Sequence, residues 1–183
     1  MQSEYLIRSL LEQTAQIITE VEKLKAYDLQ FLTWKENETS WSILECLEHL
    51  NLYGHFYLPQ IESKLKHTTT RPELEFKSGI LGNYFSKSML PKDKLNKMKT
   101  FKDKNPLHAK LGKAVIDEFL NQQIRLQHLL DQSRKVSLNK VKIRTSISAL
   151  IQLKLGDTYK FYVNHIIRHL KQIERIQQAV KEG

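Results

Sequence analysis

His165 and His169 stand four residues apart in a stretch whose stripe runs Tyr159, Tyr162, Ile166, His169, Ile173, Ile176, Val180 at alternating steps of three and four. On a helix, positions i and i+4 project from one face, so two imidazoles at that spacing can converge on one metal ion. The same pair can equally be partly buried histidines that hydrogen-bond to their neighbours. A firmly held metal needs at least a third protein ligand. An earlier helical stretch offers one, His49, two turns in and beside Tyr53 and Phe56. Alone, His49 also reads as a core-edge histidine with a satisfied hydrogen bond. His55 points elsewhere on that helix, and His67, His108 and His128 lie near helix ends or among polar neighbours and read as surface residues.

The groups that would serve such a centre are fewer. Glu45 lies one turn before His49, but a capping role competes for it. Glu48 is adjacent to His49 and so points about 100° away on an ideal helix. Tyr53, one turn after His49, and Tyr162, one turn before His165, are placed to line a cavity, with core packing as the alternative for both. Cys46, one turn before His49, is a candidate ligand or thiol nucleophile; a lone cysteine of this kind is more often a small buried hydrophobe. Asn164 falls off the metal face.

Four long helices must position these residues. The first carries the stripe Ile7, Leu10, Thr14, Ile17, Val21, Leu24. The second opens on Ser42-Ile43-Leu44-Glu45, the pattern of a capping box, and should run to about His67 with a kink at Pro59. A third is expected from near Pro106 to about Ser133, and a fourth from an N-cap at Asp157 to about Lys181. Between them, Val136 to Arg144 reads as extended and Thr145 to Leu153 as a short helix. Six of the ten Gly and Pro residues fall between Pro72 and Gly112. The expectation is an all-α, four-helix bundle over residues 1–183, one domain, with a long basic connector between helices 2 and 3.

The charge is as uneven as the breakers. Lys and Arg number 29 against 20 Asp and Glu, a net charge of +9. Ten lysines against Asp93 and Asp103 give +8 between Lys77 and Lys113, which leaves the rest of the chain at +1. In that connector Met89, Leu95, Met98 and Phe101 interleave with lysines at roughly helical spacing. This fits an amphipathic segment docked on the bundle, or a rim that attracts an anionic substrate. There is no base-reading motif or aromatic stacking platform, so nucleic acid is disfavoured as a partner. A single cysteine excludes a disulfide scaffold, and the longest run without Asp, Glu, Lys or Arg, 13 residues from His49 to Ile61, is too short to span a membrane. The N-terminal Met1-Gln2-Ser3-Glu4 lacks the basic region of a signal peptide, and the expected location is the cytoplasm.

Trp41-Ser42-x-x-Glu45-x-x-x-His49-Leu50 resembles the second-helix motif of the DinB/YfiT-like four-helix bundle superfamily, and His165-x-x-x-His169 followed by Gln172 resembles its last-helix motif. Leu155-Gly156-Asp157 resembles the start of the family's last helix. The resemblance implies an up-down-down-up bundle holding one divalent ion, zinc or nickel, on His49, His165 and His169. It also implies activity as a metal-dependent hydrolase or a low-molecular-weight thiol S-transferase, with a small-molecule substrate, such a thiol as a further cofactor, and a homodimer as a plausible assembly. Three neutral imidazoles leave a coordination position open. A metal there could lower the pKa of water towards about 7, or bind and deprotonate a thiol. The triad does not choose between the two. The competing expectation is a non-enzymatic binding module whose basic connector recognises an anionic partner.

Overall fold

The computed structural model describes residues 1–90, 100–148 and 150–182. Four long helices dominate it: α1 (Ser3–Glu22), α3 (Ile43–His67), α5 (Ala114–Gln132) and α6 (Leu155–Glu182), with two shorter ones, α2 (Leu29–Thr33) and α4 (Ile80–Ser88). α1 packs on α5 and α6, and α3 packs on the same two, so each long helix has two long neighbours around one core. α1 buries Leu6, Ile7, Leu10, Thr14, Ile17 and Val21, the stripe its period dictates. The one polar member, Thr14, donates its hydroxyl to the Leu10 carbonyl at 2.7 Å and so costs the core little. None of these helices is long and apolar enough to cross a membrane.

α3 starts as its sequence dictates. The Ser42 hydroxyl accepts from the Glu45 N–H, and the Glu45 carboxylate accepts from the Ser42 N–H. The helix then runs to His67 with Pro59 inside it.

Three expectations need correction. The third long helix begins at Ala114 and not near Pro106. Residues before it form a loop in which His108 has φ 67° and donates its N–H to Glu45 Oε1 at 2.7 Å. Of the residues expected as a short helix, Thr145 to Leu153, those described instead form a bend and enter the second strand of a hairpin. β1 (Lys142–Arg144) pairs antiparallel with β2 (Gln152–Lys154), in the register Lys142↔Lys154, Ile143↔Leu153, Arg144↔Gln152. Only Ile143 and Leu153 of that pairing turn inward, which is the period-two alternation of a half-buried hairpin.

α6 starts two residues before Asp157, so Asp157 is not its N-cap. Its buried carboxylate instead accepts from the Ser78 hydroxyl and, at 2.8 Å, from the Gly79 N–H, and so holds the first turn of α4. A Cβ on Gly82 would lie 2.3 Å from that carboxylate, so the close approach of α4 requires glycine there. The long connector between α3 and α5 thus carries a helix of its own: α4 lies on α6, and Asn164 reinforces it by donating to the Ser86 carbonyl at 3.0 Å. Leu95 and Met98 of the expected amphipathic segment lie outside the described residues. Of its flanks, Met89 is buried and Phe101 is exposed.

Candidate metal centre

α3 delivers His49 and α6 delivers His165 and His169 to one point. His165 Nε2 lies 3.2 Å from His49 Nε2 and 3.0 Å from His169 Nε2. All three side chains are buried, and together they could hold a metal ion. The two outer rings are fixed from behind. His49 Nδ1 donates to the Lys104 carbonyl at 2.6 Å, and His169 Nδ1 donates to Gln172 Oε1 at 3.0 Å. This is the outer-shell support that ligating histidines normally have.

Proton accounting shows why the cluster suits a cation. Both partners behind the rings are pure acceptors, so His49 and His169 carry their protons on Nδ1 and present Nε2 lone pairs to the centre. His165 has one proton. On Nε2, that single proton must serve two facing lone pairs. On Nδ1, it sits on a buried nitrogen with no hydrogen-bond partner among the described residues, and three lone pairs then face one another. A fourth proton does not resolve this. Burial lowers the pKa of His49 to about 4 and that of His169 to about 3, and burial with the neighbouring imidazoles drives His165 well below its ordinary value. Three neutral nitrogen donors aimed inward at about 3 Å fit a divalent ion of borderline softness such as zinc or nickel.

The centre opens into a cleft of about 1780 Å³ whose described walls come from α3, α4, α6, the loops at 34–41 and 100–107 and the bend at 146–147. Trp41 packs against His49 and His169 with ring centroids at 4.7 and 5.8 Å, and its indole Nε1 donates to Asn105 Oδ1 at 3.2 Å. Tyr53 lies 4.5 Å from the His165 ring and lines the cleft. Burial raises its hydroxyl pKa to about 12, so it stays a proton-bearing donor at neutral pH.

The other sequence candidates lie elsewhere. Tyr162 is fully buried and is not among the residues that line the cleft; its hydroxyl sits over Gly54. Glu48 is half-buried and accepts from Asn51 Nδ2 at 3.4 Å, away from the cleft walls. Cys46 is completely buried in the core, where burial pushes its thiol pKa up. Glu45 serves as a cap and as a tie to the 100–113 loop, and Asn164 holds α4. His55, His67, His108 and His128 are all exposed.

Sequence reasoning missed two kinds of participant. One is the Lys104 carbonyl, a main-chain group that carries no residue signature. The other is Arg168 and Arg175, which line the cleft with Gln172 between them. Their spacing of seven residues, with Gln172 four after Arg168, was a readable polar stripe beside the histidine stripe.

A family model described as the DinB superfamily matches residues 9–173. No curated protein and no solved structure shows a significant match.

Proposed function

The chain belongs to the DinB superfamily, and from that membership and the buried histidine cluster we propose that it is a cytoplasmic metal-dependent enzyme acting on a small molecule, by thiol S-transfer or hydrolysis. The observation that carries this reading is the convergence of three Nε2 atoms at the floor of an open cleft. His49, His165 and His169 would hold one divalent ion, zinc or nickel, within an up-down-down-up arrangement of the four long helices. That ion would supply Lewis-acid chemistry, lowering the pKa of a water or thiol that reaches it.

The chain's own residues do the rest. Lys104 and Gln172 fix the proton of two ligands on Nδ1 and keep Nε2 free. Trp41 covers one side of the centre and limits water there. The Tyr53 hydroxyl, protonated at neutral pH, offers a hydrogen bond to an oxygen atom of the substrate within the cleft.

The test is elemental analysis of protein purified without chelator. About one divalent ion per chain is expected, with loss of that ion and a lower melting temperature for His169→Ala. Wild-type protein that takes up neither zinc nor nickel, or a His169→Ala variant with unchanged metal and melting temperature, overturns the reading.

A further inference from the structure

α4 is built inside out. A helix on the surface of a soluble protein normally buries its apolar side and turns its polar side to water. α4 instead buries Gly82 and Ser86, while Ile80 is 92% exposed, Tyr84 66% and Leu81 53%. Those three stand at i, i+4 and i+1 and so share one outward face. Polar ties hold the helix in this orientation. The Asp157 carboxylate accepts from the Ser78 hydroxyl and the Gly79 N–H, and Asn164 donates to the Ser86 carbonyl. A Cβ at position 82 would strike Asp157, so the inward face takes glycine there and the large apolar residues stand outside.

The neighbouring hairpin repeats the pattern. Its turn is closed by the Thr145 N–H, which donates to the Ile151 carbonyl at 2.9 Å, and it carries Leu150, 93% exposed. Ile80 shares the rim of the cleft with Ile147 of this turn, and with Leu81 it borders a shallow depression that reaches Lys142 and Lys154. Those two lysines stand directly opposite each other across β1 and β2, an arrangement that repels. Lys154 Nζ donates to the Lys77 carbonyl at 2.6 Å, which brings a third lysine to the same place. Among the described residues around the depression, the one carboxylate, Asp157, is already engaged by Ser78 and Gly79.

An occupant of this face has to receive side chains that project, and has to carry negative charge. A second copy of the chain fails the second condition, because a two-fold contact would set the same lysines against one another. A fluid acyl layer receives projecting side chains without matched pockets, and anionic headgroups attract lysine, so an anionic bilayer meets both conditions. We infer that α4 and the hairpin turn form a docking face for an anionic lipid surface. Ile80, Leu81, Tyr84 and Leu150 enter the interface, and Lys77, Lys142 and Lys154 lie among the headgroups. The chain rests on the membrane without crossing it, with the rim of the cleft turned to the lipid. The face is built without the histidines, so this inference does not depend on the proposed metal.

Flotation of the full chain with phosphatidylcholine vesicles, with and without phosphatidylglycerol, tests it. Vesicles containing phosphatidylglycerol are expected to bind at least about tenfold tighter than pure phosphatidylcholine, and the binding should weaken as salt rises. Ile80→Ser and Leu150→Ser should each weaken it about tenfold, and Lys142→Glu should reduce the preference for phosphatidylglycerol. All three residues are exposed, so the melting temperature should not change. No binding to the phosphatidylglycerol vesicles overturns the inference. So does binding that is unaffected by Ile80→Ser and Leu150→Ser, which is charge attraction alone. Soluble poly-glutamate held as tightly as the vesicles, through the same residues, would assign the face to an acidic protein. A dimer that is lost in Ile80→Ser would assign it to a second copy. Either result also overturns the inference.

Discussion

Glu45 Oε1 accepts the backbone N–H of His108 at 2.7 Å across 63 residues of chain. The same carboxylate takes the Lys35 ammonium at 2.6 Å and, through Oε2, the Ser42 N–H at 2.8 Å. One buried side chain therefore starts α3 and anchors the loop whose Lys104 carbonyl orients His49. Burial raises the Glu45 pKa, but Lys35 and the two backbone N–H groups outweigh it and hold the pKa below the ordinary carboxylate value. Glu45→Gln turns one acceptor into a donor facing donors. The expected loss is about 1–3 kcal/mol, read as a lower urea midpoint, with faster amide exchange at His108. An unchanged midpoint would show that the loop is held by other contacts.

The metal-free protein should become less stable as the pH falls below about 6.5. In the unfolded chain a histidine takes up a proton near that pH, whereas folded His49 and His169 resist protonation down to about 4 and about 3. Between those values the unfolded state binds more protons, so stability drops as pH drops. Thermal melts from pH 7.5 to 4.5 check the sign, and replacing His169 by Gln should flatten the slope. A melting temperature that rises on acidification contradicts the assignment of neutral, buried imidazoles.

At Gly54, α3 meets a polar side chain from α5 and another from α6. A Cβ there would sit 1.7 Å from Gln122 Oε1 and 2.9 Å from the Tyr162 hydroxyl. Gln122 would have to swing away and surrender its bonds to the Asn51 carbonyl at 3.2 Å and to Glu118 at 2.9 Å. Gly54→Val should cost about 1–3 kcal/mol or more by overpacking. Guanidinium unfolding measures it, and a neutral result would mean that the core relaxes freely at this point.

Cys46 should behave as packing and not as a nucleophile. It is completely buried and its thiol is disfavoured as thiolate. Ellman's reagent is expected to label native protein only as fast as the protein opens, and to label it at once in denaturant. Rapid native labelling would return the thiol to the list of reactive groups.

Local periodicity marked the His165–His169 pair, and the resemblance to the DinB family's two helix motifs is what joined His49 to it. His169 interrupts an apolar stripe at a position where only burial fits, and His49 lies two turns past a Ser-x-x-Glu capping box. That same box fixed the start of α3 to the residue. Elements set by distant partners were not legible. Asp157 resembles a local cap, yet its carboxylate serves the first turn of α4, 78 residues earlier in the chain. The hairpin strands are three residues each, too short to show alternation, and exist because Ile143 and Leu153 meet across it. The loop before α5 stays non-helical because His108 turns to meet Glu45. Arg168 carries no signature of its burial in the sequence, yet it is only 7% exposed in the fold.

The bond from His49 to Lys104 is made to a main-chain oxygen. Every amino acid supplies that oxygen, so the hydrogen bond that steadies the histidine does not depend on the side chain at position 104. The three histidines all sit on two long helices, and much of the cleft mouth comes from α4 and the loops at 34–41 and 100–107, which are tied to those helices partly through backbone atoms. Such a division lets mutation and recombination rewrite what the mouth admits while the histidine floor is inherited intact. One scaffold could in this way be retargeted to new substrates over evolutionary time, and the same boundary marks where a laboratory library should be drawn.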